Sequence, residues 1–397
     1  MDAILETALA RLNPLVLSAP GLNAPADAAP REDEPALATL VLSNLERPER
    51  DFLANVLPAA FAAGAAGGGR LTGDAAVLRA RFRQWAEDAP PARALGGALC
   101  AALAAAATRR FHIPLAHDRA LELAGEPVIM GVLNATPDSF SDGGRFADAI
   151  AAADHGLRMF EAGAGIVDVG GESTRPGSRG VSAEEELQRV LPVLERLRAR
   201  SDGLLSADTS KAVVARAAVA AGAHLLNDVT ALRGDPEMAA VAAQCGAGVV
   251  LMHMRGCPRT MQEDPRYGDV VADVVRELRE ALVRAREAGI PLGRTLVDPG
   301  IGFGKTLAHN LALLHGLDTL RSLGRPRVLG ASRKSFLGSL TGVAIPHERT
   351  AGSVAVAALA AAAGVEVLRV HDVAETRQAV RVARAVARGR PPEEGTS

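Results

Sequence analysis

Cysteine is scarce: Cys100, Cys245 and Cys257 are the only three in 397 residues. An odd number without metal-ligand spacing excludes a disulfide framework and a cysteine-based zinc site, and it fits a reducing compartment. Net charge is equally slight. A balance of −2 at pH 7 gives no global pull towards nucleic acid or anionic lipid, so any anion site must be local. Membrane-spanning runs are missing too: residues 94–107 are too few, and 351–365 are mostly alanine and glycine, so buried helices account for both. The opening Met1-Asp2-Ala3 has no basic region ahead of an apolar one, so no secretory signal is expected and a cytoplasmic location is. Several catalytic signatures are also absent. No Ser-His-Asp order or His-Glu-x-x-His helix occurs, and Gly170-Gly171 lacks the dinucleotide spacing. Gly302-Phe303-Gly304-Lys305-Thr306 ends like a phosphate-binding loop, but that motif's first glycine would fall on Pro299.

What is present is a large apolar core, with 48% hydrophobic and 23% charged residues, in a chain long enough for a barrel and an appendage. Residues 1–120 form an N-terminal accessory region, small α/β or mostly helical. Residues 23–35 there read as a linker, 39–42 as a strand, 51–63 as a helix, 64–69 as a glycine-rich break and 91–107 as an alanine-rich helix. It holds the single tryptophan, Trp85, read as a core residue. Residues 121–390 alternate regularly. Apolar runs at 128–133, 166–169, 203–207, 224–227, 248–253, 294–297, 327–330 and 365–370 predict strands, each followed by a helix. Ser182 with Glu185 predicts a capping box, Asp235-Pro236 a helix start, and Gly289 the end of a helix whose stripe is Val271, Val274, Val275, Leu278 and Leu282. Eight strand–helix repeats over this length predict an α/β protein with a (β/α)8 TIM barrel; an open doubly wound sheet is the alternative.

Every predicted strand ends in chemistry-bearing residues, where a barrel builds its active site. In order these are Asn134; Asp168 with Gly170 to Gly177; Asp208-Thr209-Ser210-Lys211; Asn227-Asp228; His253 with Arg255; Asp298 to Lys305; Ser332-Arg333-Lys334-Ser335; and Arg369 with His371-Asp372. Asp208, Asn227 and Asp298 suit a flat heterocycle presenting a row of N–H donors. Arg175, Lys334, Arg369 and His371, with Thr174, suit a phosphate or diphosphate. Asn134 offers a neutral oxygen to a Mg²⁺ otherwise held by water and phosphate. Bland readings stand beside these. Asp168 and Asp228 fit helix caps equally well, Glu172 a loop brace, and His253 a packed strand-end residue.

Taken together, these segments resemble one family, dihydropteroate synthase, over about residues 127–388. Asn134 to Gly144, Asp168 to Gly177, Asp298 to Lys305 and Ser332 to Phe336 match its signatures, and Leu226-Asn227-Asp228-Val229 and Arg369-Val370-His371-Asp372 fit its shorter ones. Ala135 and Ala207 depart from the pattern without removing a functional group. The resemblance implies condensation of 6-hydroxymethyl-7,8-dihydropterin diphosphate with p-aminobenzoate, giving 7,8-dihydropteroate and diphosphate for folate synthesis. It assigns Asp208, Lys334 and Arg369 to catalysis, and Asn227, Met252 and Asp298 with them to the pterin. Phe140, Thr174, Arg175, Pro176, Phe303 and Ser335 go to the p-aminobenzoate pocket, which sulfonamides would share. Asn134, Asp142, Arg175 and His371 would hold diphosphate and Mg²⁺. It implies a homodimer. The slight net charge and the missing spans predict no nucleic-acid or membrane partner, and the long glycine-flanked loops 136–144 and 174–180 predict pterin binding before p-aminobenzoate. A corrinoid-linked methyltransferase shares the barrel and the Asp-Asn-Asp set, but has no use for Thr174-Arg175-Pro176-Gly177 or Ser332-Arg333-Lys334-Ser335. A degenerate, non-catalytic barrel would not keep its strand-end charges.

Overall fold

The computed structural model describes residues 12, 14–18, 37–57, 59–63, 68–88, 92–135, 144–173 and 180–390. The N-terminal unit is α/β. Strands β1 (Leu15–Ser18), β2 (Leu37–Leu42), β3 (Phe61–Ala63) and β4 (Gly69–Asp74) form an antiparallel sheet in the order β1-β2-β4-β3. Helices Arg47–Val56, Ala75–Glu87 and Ala92–Ala107 accompany it, and Leu40, Leu53, Leu71, Phe82, Leu99 and Trp85 share one core. Trp85 is thus the core residue expected, with Phe52 edge-on at 4.9 Å. The helix expected over 51–63 stops at Val56, because Phe61 pairs with Leu71 of β4. Gly69 opens β4 rather than closing a break, while 64–67 and the linker 23–35 lie outside the described residues.

Next comes a hairpin, β5 (Phe111–Pro114) and β6 (Ala120–Leu123), turning through His117 and Asp118, both at positive φ. Its alternate residues Phe111, Ile113, Leu121 and Leu123 pack with Met130, Ile166, Leu204, Val250, Leu296 and Val367, the innermost side chains at the start of the barrel strands. The hairpin therefore plugs the barrel floor. A boundary at residue 120 would cut through this plug, so the barrel unit begins near residue 111. Deletion of residues 1–107 should leave a folded, active barrel, whereas deletion of 1–119 should strip Phe111, Ile113 and Leu115 from the floor and lower the melting temperature by about 10 °C or more. Each large apolar group lost from such a floor costs about 2–5 kcal/mol. Circular dichroism melts with turnover of both truncations check this. Equal stability of the two would refute the plug.

Among the described residues, eight parallel strands follow: β7 (Val128–Asn134), β8 (Ile166–Gly170), β9 (Leu204–Asp208), β10 (Leu225–Asp228), β11 (Gly248–Met252), β12 (Thr295–Asp298), β13 (Val328–Leu329) and β14 (Val367–Val370). Their order, β12-β11-β10-β9-β8-β7-β14-β13, is closed by a bridge between Val297 and Arg327. The result is the expected TIM barrel. Aliphatic and alanine side chains fill the space between strands and the surrounding helices. Helix starts differ from expectation in detail. Ser182 accepts from the Glu185 amide, but the Glu185 carboxylate pairs with Arg189 instead of closing the capping box. Asp235 accepts from Glu237 N and, with its second oxygen, from Ala212 N, so it caps the neighbouring helix Ala212–Ala220 as well. Gly289, at φ 88°, follows helix Val270–Glu287 as expected.

Two buried histidines couple the fold to pH. His224, fully buried at the start of β10, takes the Leu205 amide on Nδ1; burial, then His117, hold its pKa down to about 4. His253 is likewise held down to about 4, chiefly by burial. Unfolded histidine titrates near 6.5, so between about pH 6.5 and about 4 the unfolded chain binds more protons than the native one. Stability should be fully present above about pH 6.5 and fall as pH drops through that window. Urea midpoints measured across it should be flatter in His224→Asn than in the parent chain.

Candidate active site

Strand alternation carries the floor pattern upward into the site. Counting by two from the apolar floor residues places Asp168, Asn227, Met252, Asp298 and Arg369 inward, and counting by four adds Asn134 and Asp208. The barrel interior thus changes from aliphatic to polar within one residue pair.

Arg369 is the hub of that polar layer. Its Nε donates to Asp168 Oδ2 at 2.7 Å and its Nη2 to Asp208 Oδ2 at 2.6 Å, while Asn227 Nδ2 donates to Asp168 Oδ2 at 3.0 Å. Asp168, fully buried, is therefore part of this layer and not a helix cap. Sequence reasoning left it open because the letter Asp at a strand end fits both; only Arg369, 201 residues away, decides. Asp228 takes the bland role, accepting from Thr230 N, Thr230 Oγ1 and Leu232 N. Burial pushes Asp208 up to about 7 against the pull of Arg369. Burial likewise lowers Arg369, but Asp168 and Asp208 outweigh it and hold the guanidinium charged.

Asp298 closes the other side. Its Oδ1 accepts from Gly300 N at 2.7 Å, and burial raises its pKa against the nearby Lys334. Lys334 donates to the Ile301 carbonyl and lies 4.6 Å over the Phe303 ring; burial brings its pKa down to about 8, with Asp298 opposing. Met252 and Phe303 share an apolar patch with Val229, Met254 and Met261. Ser335, exposed, is the first residue of helix Ser335–Thr341. The expected site residues Phe140, Asp142, Thr174, Arg175 and Pro176 lie outside the described residues.

The loop from Asp298 to Lys305 is shaped by a scaffold the sequence did not announce. Lys305 is buried, with Nζ 2.9 Å from His253 Nδ1 and 3.0 Å from the Phe303 carbonyl. His253 Nε2 meets Glu277 at 3.0 Å; Glu277 also pairs with Arg255, which stacks 4.1 Å over Tyr267. The Tyr267 hydroxyl donates to Gly304 O at 2.8 Å. His253 is accordingly the packed residue expected, not a metal ligand. Gly300 has φ 66°, and a Cβ there would sit 1.9 Å from the His253 carbonyl oxygen. Gly300→Ala should therefore displace the loop and destabilise the chain by a few kcal/mol, about 1–3 from φ alone. A melting temperature unchanged in this variant would contradict the close approach.

A cavity adjoins Asn134. Its volume is about 450 Å³, and Asn134, His155, Arg158, Arg333 and His371 lie on its wall. His371 Nδ1 lies 3.0 Å from Ser332 Oγ, and Arg333 is tied to Asp372. Glu172 braces its loop as expected, through Lys211, which also reaches the buried Glu186. Among the described residues no group of three His, Cys, Asp or Glu could enclose a metal ion, and no helix is long and apolar enough to cross a membrane.

Known proteins resemble this chain. A family profile described as "Pterin binding enzyme" matches residues 130–371. Dihydropteroate synthase of Escherichia coli (strain K12) is 50% identical over 259 residues, covering 65% of this chain and 91% of that protein. Among solved structures, Xanthomonas albilineans dihydropteroate synthase with 4-aminobenzoic acid is 51% identical at TM-score 0.65, covering 69% of this chain and 98% of that one. The same enzyme in complex with 7,8-dihydropteroate gives 49% and 0.62, with the same coverage. The chain belongs to the pterin binding enzymes, as a dihydropteroate synthase. It is a transferase of folate synthesis, joining the pterin methylene to the amine of p-aminobenzoate with loss of diphosphate. The family match begins inside the barrel, so the N-terminal unit is an addition to it.

Proposed function

We propose that the inward layer of strand-end residues divides the condensation among pterin recognition, charge compensation and diphosphate departure. Asp298, Asn227 and Asp208 accept from the pterin's N–H edge, Lys334 donates to its acceptors, and Met252 with Phe303 supply apolar contact. Arg369, held flat by Asp168 and Asp208, presents its guanidinium face to the ring. As the C–O bond to diphosphate breaks, positive charge grows on the pterin methylene and Asp208 offsets it. The arylamine lone pair then forms the C–N bond, and the released proton leaves with diphosphate or water. The amine is already nucleophilic, so no strong base is required.

Asn134 and His371, on the wall of the cavity shared with His155, Arg158 and Arg333, form the diphosphate end, with Asp142 and Arg175 expected beside them. Mg²⁺ is proposed there. A single neutral oxygen such as the Asn134 amide fits this ion, which keeps phosphate and water ligands, better than it fits zinc. When bound, Mg²⁺ would offset charge on the diphosphate. Phe140, Thr174, Arg175, Pro176, Phe303 and Ser335 are proposed for p-aminobenzoate, the site for which sulfonamides compete. The single observation carrying this reading is the Asp168–Arg369–Asp208 layer facing Asp298 across Lys334. Turnover with both substrates, compared with each alone, tests it; activity with one substrate would sink it. Binding is proposed to be ordered. Calorimetry should show p-aminobenzoate binding only once Mg²⁺ and inorganic diphosphate are present, and tight binding to the apo enzyme would exclude the order.

A homodimer is proposed through helices Thr350–Ala362 and Val373–Arg388, which pack together and leave Leu359, Val382 and Val386 exposed. A cytoplasmic location accords with three cysteines left as free thiols.

A further inference from the structure

Phe303 lies in a loop outside any strand or helix, between Gly302 and Gly304, both at positive φ. Its own amide makes one turn bond, to Gly300 O at 3.1 Å. The rest of the grip on this stretch comes from side chains, at three consecutive carbonyls. Gln262 Nε2 donates to Gly302 O, Lys305 Nζ to Phe303 O at 3.0 Å, and the Tyr267 hydroxyl to Gly304 O at 2.8 Å. Of these three donors only Lys305 takes hold of Phe303 itself.

Lysine is an unusual side chain for that duty. Lys305 is 3% exposed, and its printed partners are neutral, whereas lysine is almost never so buried without a charged partner. Its second contact is His253 Nδ1 at 2.9 Å. Burial raises the pKa of Glu277, but His253 and Arg255 outweigh it and bring it down to about 2. That carboxylate accepts from His253 Nε2 and leaves Nδ1 bare to accept from Lys305. Burial, then Lys334, bring Lys305 down to about 7, with Asp298 and Glu277 opposing and Arg255 adding to the fall. His253 Nδ1 and Phe303 O match the two N–H groups of the neutral amine. An apolar chain of similar length would fill this space without the cost of burying an amine. What the amine adds over such a chain is its grip on Phe303.

We propose that Lys305 is a positioning residue for the arylamine step: it fixes the Phe303 main chain, and through it the ring that walls the p-aminobenzoate pocket. This rests on the assignment of Phe303 to that pocket. The ring is held a second time by Lys334, 4.6 Å over its face. Lys334 is anchored separately, on the Ile301 carbonyl, so loss of Lys305 frees the Phe303 main chain and leaves the pterin contact of Lys334 in place. The effect should therefore fall on one substrate and not on the other.

The test is steady-state kinetics of the full chain, each substrate varied against saturation with the other. Lys305→Met, unbranched and nearly as long, should raise KM for p-aminobenzoate about tenfold while kcat and KM for pterin diphosphate stay within about twofold of the parent. A merely structural role would lower the folded fraction, and so kcat, and move neither KM. Lys305→Gln returns two N–H donors one atom short of their place and should recover part of the affinity, with KM raised about threefold. It also serves if Lys305→Met fails to fold. A p-aminobenzoate KM unchanged in whichever variant folds, or an equal rise in both KM values, would overturn the proposal. Phe303→Leu separates this from the pocket assignment. If it leaves the p-aminobenzoate KM unchanged, Phe303 is not on the pocket and both readings fall. If it raises that KM and Lys305→Met does not, only the positioning role falls.

Discussion

Asp298→Ala is expected to weaken pterin diphosphate binding by a hundredfold or more. Each ligand N–H left without its acceptor in a dry site costs roughly 1–3 kcal/mol, and a row of donors loses more than one partner. The alanine has a second effect, since the Gly300 amide loses the oxygen 2.7 Å away and the glycine loop loosens. Asp298→Asn separates the two. It keeps an oxygen for Gly300 but turns the other position into a donor, so the loop should stay ordered while pterin binding still falls. Calorimetry on both variants decides: unchanged affinity in the asparagine variant would remove Asp298 from the pterin site.

Arg369→Met should be the most damaging change to the fold and also eliminate turnover. It leaves Asp168 and Asp208 facing each other in the buried layer without their shared cation, a loss of about 3–5 kcal/mol. The carboxylates would recover part of this by taking up protons that the unfolded chain does not bind. Destabilisation should therefore grow as pH rises through the range in which they ionise. Arg369→Lys keeps the charge but cannot reach both acids with one fork, so it should rescue stability in part and activity little. Adding Asp168→Asn and Asp208→Asn to the methionine variant should restore the melting temperature and leave the enzyme dead. If the methionine variant melts like the parent, the hub assigned to Arg369 is wrong.

The barrel was readable because its strands are buried on both faces and so appear as short apolar runs that stop abruptly at charged letters. Asn134, Asp208, Asn227, Asp298, Lys334 and Arg369 stood out for the same reason. What stayed hidden depended on distance. Glu277 sits in the middle of an amphipathic helix, and nothing local says that its carboxylate holds His253, which in turn orients Lys305. The N-terminal sheet was hidden by weak lettering: β4 is Gly-Arg-Leu-Thr-Gly-Asp, which offers Leu71 as its main apolar anchor. The hairpin of β5 and β6 was missed because its alternation spans only four residues per strand.

That hairpin has a consequence for engineering. The chain enters the barrel through a stopper at the end away from the chemistry, so the N-terminal unit sits against the closed end of a vessel, its helix Ala92–Ala107 packed on the segment Leu317–Leu323. A fluorescent reporter, an affinity handle or a different enzyme could be spliced there in place of the natural leader domain, and the open mouth at the other end would be left clear for substrates.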